Sequence, residues 1–120
     1  MQLGANISER LLEFGVVVLR LGSKLPKDAA GRHVAIQLIR SATGAGANYE
    51  EARAAESRAD FVHKVGIAAK EAREASYWIG LVQRSGWFED DLRALVREAN
   101  ELAAILGASA RTAKSRAHPK

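Results

Sequence analysis

A chain of 120 residues is the size of one domain and can bury about two thirds of the surface it exposes when unfolded, so it needs no staples to fold. It has no cysteine, which excludes a disulfide framework, a thiolate nucleophile and cysteine-held zinc; any metal would fall to three His and the carboxylates. The formal charge of +4 is unevenly spread: four of the 18 Lys and Arg (Arg111, Lys114, Arg116 and Lys120) lie in residues 109–120, which hold no acid, and the rest of the chain balances 14 bases against 14 acids.

Met1 to Asn6 lacks the basic-then-apolar layout of a signal peptide, and no apolar run approaches the roughly 20 residues that a membrane span requires. The expectation is a cytoplasmic protein with no membrane partner. Abundant Ala, Leu, Arg and Glu, only two Pro and charges of alternating sign fit a helical protein.

After a lead-in over residues 1–7, Ser8 before Glu9 is an N-cap signal, and Leu11, Phe14, Val18, Leu21 and Leu25 recur at helical spacing, which predicts a first helix over about 8–25. Pro26 stops it, because the residue before proline is pushed out of the α region. Asp28 caps a second predicted helix, 29–56, whose inward positions are Val34, Leu38, Ser41, Ala45, Asn48, Ala52 and Ala55. Its middle, Ser41 to Asn48, has almost no side-chain bulk, and Gly44 and Gly46 each cost about 1 kcal/mol against Ala in a helix interior. Close approach by a neighbouring helix is the usual reason for such a stretch.

Ser57 with Asp60 three residues on opens a third predicted helix, 58–85, with the stripe Phe61, Val65, Ala68, Ala72, Ala75, Ile79 and Val82. Gly86 suits the left-handed residue that closes it. The fourth helix, about 90–107, starts in the acidic run Glu89-Asp90-Asp91, carries Leu92, Leu95, Ala99, Leu102 and Leu106 inward, and is expected to end at Gly107. Residues 108–120 lack an apolar period and read as a flexible basic tail. Short connections make sequential helices antiparallel neighbours, so the fold class is all-α, an up-and-down antiparallel four-helix bundle. A hairpin turning near Ser57 sets residues whose numbers total about 114 at one level, which pairs Arg40 with Glu74 and Glu50 with Lys64.

Nothing in the chain resembles an active site, and no catalytic residue, cofactor or metal is assigned. Gly44-Ala-Gly46 is not a phosphate loop, since no strand precedes it. Asp60-x-x-His63 has the spacing of a bundle metal motif, but no second copy completes one, which leaves Asp60 as a first-turn acid and His63 at the surface. Tyr77-Trp78 and Trp87-Phe88 gather near the loop between the third and fourth helices, as a plug for that end or as a partner interface. Arg32, Arg40, Arg53, Arg58, Lys64, Lys70 and Arg73 concentrate on the second and third helices, where they contact phosphates if they converge.

The segment from Gln37 through Ser41-Ala-Thr-Gly-Ala-Gly-Ala-Asn48-Tyr49-Glu-Glu-Ala52, followed by Ser57-Arg-Ala-Asp-Phe61, Lys64, Ile67-Ala68, Lys70-Glu71-Ala72 and Tyr77-Trp78, resembles the small bundle proteins encoded in intervening sequences of bacterial 23S ribosomal RNA genes. The likeness covers about Ser8 to Leu106. It implies a ring-like homopentamer, similar to the accessory variability proteins of diversity-generating retroelements, which bind nucleic acid and a reverse transcriptase through a basic pentameric surface.

The expected function is therefore a non-enzymatic, homo-oligomeric scaffold with RNA or DNA as ligand, contacted by Arg111, Lys114, Arg116, Lys120, Arg32, Arg40, Arg53, Arg58 and Lys64. The expected packing and assembly residues are Ser41, Gly44, Gly46, Asn48, Tyr49, Trp78 and Trp87, with Asn48 fixing register between subunits. The rival reading is a protein adaptor that uses Trp87-Phe88 and binds no nucleic acid.

Overall fold

A computed structural model describes residues 3–117, in which four helices follow one another: α1 (Leu3–Gly22), α2 (Ala29–Arg53), α3 (Arg58–Ser85) and α4 (Arg93–Ala117). Three of the connections are set by the residues expected to set them. Asp28 accepts a hydrogen bond from the Gly31 amide at 2.9 Å, and Ser57 Oγ accepts one from the Asp60 amide at 3.0 Å, each satisfying a donor that a helix start leaves without an intrahelical partner. Gly86 closes α3 at φ 79°, in the left-handed region. Before α4, the Asp91 carboxylate accepts from the guanidinium and the backbone amide of Arg93, and these bonds hold it down at about 2.

Three predicted helix ends move by three residues, α1 stopping at Gly22 rather than about 25, α2 at Arg53 rather than 56 and α4 starting at Arg93 rather than 90, and two ends move further. α1 begins at Leu3 rather than Ser8: nothing between Leu3 and Ile7 breaks a helix, Ile7 packs on the core, and the Ser8 hydroxyl accepts from Arg53 Nη1 at 2.7 Å instead of capping. At the other end, α4 does not stop at Gly107 but runs on to Ala117, so the expected flexible tail is helical as far as it is described. The segment after Gly107 is mostly Ala, Arg and Lys, all good helix formers, and buried Ala113 ties it to the bundle.

The inward stripes match closely. In α1, Leu11, Phe14, Val18 and Leu21 are buried, and Leu25 is buried in the loop beyond it. In α2, Tyr49 takes the inward place expected of Asn48, because four residues on from Ala45 follows the 3.6-residue period better than three there. The centre of the core is rich in alanine: Ser41, Ala42, Ala45 and Ala52 of α2 and Ala68, Ala69, Ala72 and Ala75 of α3 are buried, in two helices that pack on each other along a broad seam. Such small side chains let two helices pack closely, and that packing favours the helical state in the glycine-bearing middle of α2.

Packing follows chain order, α1 on α2, α2 on α3 and α3 on α4, and the thinnest seam closes the bundle between α1 and α4. That seam is bridged by Arg10, whose guanidinium donates to Glu98 at 2.7 and 3.0 Å and to Glu101 at 2.8 Å, bonds that push its already high pKa further up. The molecule measures 52 × 25 × 23 Å. No described helix is long and apolar enough to cross a membrane.

Candidate nucleic-acid interface

The basic residues divide into two sets. Arg40 is spent on α3, with its guanidinium donating to Glu71 at 3.1 and 3.2 Å and to Glu74. Lys64 donates to Glu51 at 2.7 Å, and Arg53 to Glu50 and Ser8. The level expected from the hairpin thus holds for Arg40–Glu74, and for Lys64 it is off by one residue, since Glu51 rather than Glu50 faces α3. These three cations are neutralised where they stand.

Arg32, Arg58, Arg111, Lys114 and Arg116 are exposed and have no acidic partner among the described residues. Arg32 lies in the first turn of α2, apart from the others. Arg58 opens α3 and Arg111, Lys114 and Arg116 belong to the last turns of α4, so the antiparallel order brings these four to the same end of the bundle. Cations in the last turn of a helix also meet its partial negative charge favourably, which accounts for part of their placement. Glu56 and Asp60 are the acids nearby on the α2–α3 connection and the first turn of α3. Lys120 lies outside the described residues.

Of the expected packing residues, Ser41 is fully buried and its hydroxyl donates to the Leu38 carbonyl at 3.1 Å. Gly44 faces α3, where an added Cβ would sit 3.4 Å from Glu71, and Gly46 faces α1, 3.7 Å from Leu11. A single methyl group fits at either, so the close approach rests on the alanines more than on these glycines. Asn48 donates from Nδ2 to the Gly44 carbonyl of its own helix at 2.8 Å. Trp78 is half-buried, donates from Nε1 to Glu74 at 2.9 Å and takes the rings of His33 and Tyr77 edge-on. Trp87 and Phe88 pack against the core, with the Lys24 ammonium 5.9 Å from the Phe88 ring centre, so their contacts match the plug rather than a free aromatic face. Asp60 is in the first turn of α3 and His63 is exposed, and among the described residues no three His, Asp or Glu side chains are grouped as metal ligands would be.

Two surfaces were not singled out in the sequence. Leu12, Val16 and Leu19, spaced like the core stripe of α1 but rotated from it, line an open apolar groove of about 650 Å³ against Gly46 and Ala47 of α2; Leu12 is 64% exposed. Their i, i+4, i+7 spacing was the available signal. A second cleft, under the last turns of α4, draws on α1, the end of α2, the start of α3 and α4, and no local pattern announces it.

These features define an all-α, up-and-down four-helix bundle with one cationic end and an apolar outer groove. The chain belongs to the family of 23S rRNA-intervening sequence proteins, which matches it over residues 5–108. It is similar in structure to a crystallised protein with unknown function from the S23 ribosomal protein family of Bacteroides thetaiotaomicron, with a TM-score of 0.81 and 31% identity, over 90% of this chain and 97% of that one. No curated protein matches it.

Proposed function

We propose that the protein is a non-enzymatic, cytoplasmic, homo-oligomeric scaffold that binds RNA or DNA through the cationic end of its bundle. The observation that carries this reading is the gathering of Arg58, Arg111, Lys114 and Arg116 at one end without acidic partners among the described residues. Phosphate binding draws on such free cations, whereas Arg40, Arg53 and Lys64 would first have to give up an ion pair. Assembly is supported by the groove at Leu12, Val16 and Leu19 and by exposed Ile36 and Tyr77 on α2 and α3. A closed ring needs two different apolar faces, one meeting the other on the next subunit. The pentamer that the family resemblance implies multiplies the +4 of each chain fivefold, so weak contacts add through multivalency.

The test is light-scattering mass at low salt, with and without a labelled structured RNA, on the wild type and on a variant with Arg111, Lys114 and Arg116 all changed to Gln. A mass near five chains, a shift with RNA that reverts in high salt and at least a tenfold loss of affinity in the variant are expected. Unchanged affinity in the variant moves the interface to other cations, and a ring that ignores RNA favours the adaptor.

A further inference from the structure

The cleft under the end of α4 has a volume of about 730 Å³, within the range of small-molecule sites. Its walls are mainly apolar, with Ile7 from α1, Phe61 from α3 and Ile105 and Leu106 from α4. Tyr49 reaches it from α2 and is only 7% exposed, yet its hydroxyl makes no hydrogen bond within the described chain. Among the described residues no fully buried side-chain oxygen or nitrogen lacks a partner, so this hydroxyl opens to the cleft as a polar group in an apolar wall. Burial of the ring pushes the Tyr49 pKa up, which keeps the hydroxyl protonated and able to donate.

Two guanidinium groups, Arg58 and Arg116, line the same cleft, and among the described residues neither has a carboxylate partner and the hydroxyls of Ser109 and Thr112 are unbonded. Glu56 is the one acid in the lining. Donors therefore outnumber acceptors of negative charge around an apolar floor. We propose that the cleft binds a small organic anion, a carboxylate or phosphate on an apolar body, with Arg58, Arg116 and the Tyr49 hydroxyl meeting the head and Ile7, Phe61 and Ile105 the body. This site is separate from the nucleic-acid reading in its ligand and in its use of Tyr49, although Arg58 and Arg116 serve both.

Octanoate, octyl phosphate and neutral octanol, titrated into the full-length protein and followed by amide chemical shifts, test the proposal. The anions are expected to shift Tyr49, Arg58, Ser109 and Thr112 saturably and to bind at least fivefold more tightly than octanol; the tighter of the two identifies the head group. Arg58→Gln with Arg116→Gln should weaken the anions at least fivefold and leave octanol unchanged. Tyr49→Phe, which keeps the ring, should weaken them severalfold, and Glu56→Gln should tighten them by removing repulsion. Equal affinity for octanol and octanoate, undiminished binding by the double variant, or shifts confined to another part of the molecule would overturn it. Failure of RNA to bind leaves this outcome untouched, since Arg111 and Lys114 lie outside the cleft lining.

Discussion

Gly31 shows how a single residue joins two elements. It is buried in the first turn of α2 against the α1–α2 connection, and a Cβ there would stand 2.0 Å from the Pro26 carbonyl oxygen. Backbone on both sides cannot yield cheaply, so Gly31→Ala is expected to lower stability by about 1–3 kcal/mol in urea unfolding. Gly80, in the middle of α3, has nothing within 4 Å of the same virtual atom, and Gly80→Ala should raise stability by up to about 1 kcal/mol through helix propensity alone. If both substitutions proved neutral, the contact at Pro26 would not be tight. Sequence patterns do not distinguish these glycines, because both sit in helical periods and only the partner across the loop differs.

Among the elements, α4 carries the largest departure from expectation. Truncation after Gly107 removes buried Ala113 together with Thr112 and Arg116 of the cleft, so it should lower the melting temperature by several degrees, where loss of a flexible tail would leave it unchanged. Differential scanning calorimetry of the two lengths decides. The helix ends that could be read in advance are those with a local cause: the starts at Asp28 and Ser57 and the stop at Gly86 with its positive φ, whereas α1 stops at Gly22, ahead of Pro26. Gly107 had none, since a glycine within a run of good helix formers is tolerated at a modest cost. The Arg40–Glu74 pair was legible because a short turn fixes the register of α2 against α3. Arg10 with Glu98 and Glu101 was not, since α1 and α4 are the first and last helices and no short connection sets their level. The cationic end was half legible: the charges were in view, but which of them are neutralised depends on neighbours one helical step apart, as Glu51 in place of Glu50 shows.

In the molecule as a whole, α2, α3 and α4 form two broad consecutive seams, while α1 packs mainly on α2, buries its apolar stripe in the core and meets α4 along a thin seam that Arg10 bridges. Of the two terminal helices α1 therefore has the slighter helix-to-helix contact, although its Leu11, Phe14, Val18 and Leu21 are buried. Amide exchange under native conditions should find α1 less protected than the alanine-rich seam of α2 and α3, and Arg10→Met should widen that gap at an overall cost of about 1 kcal/mol. Equal protection of all four helices, unchanged by the substitution, would mean that the bundle opens as one unit.

The helical continuation of α4 also changes what its cations are. On a free tail they would form a brush, each charge wandering over a wide volume. On a helix rising about 1.5 Å per residue, Arg111 and Arg116 stand roughly 7.5 Å apart along the axis with Lys114 between them. Held on one helix, the three charges keep fixed separations and directions, with Arg116 in the cleft lining and Arg111 and Lys114 outside it, an order that a free tail would not impose.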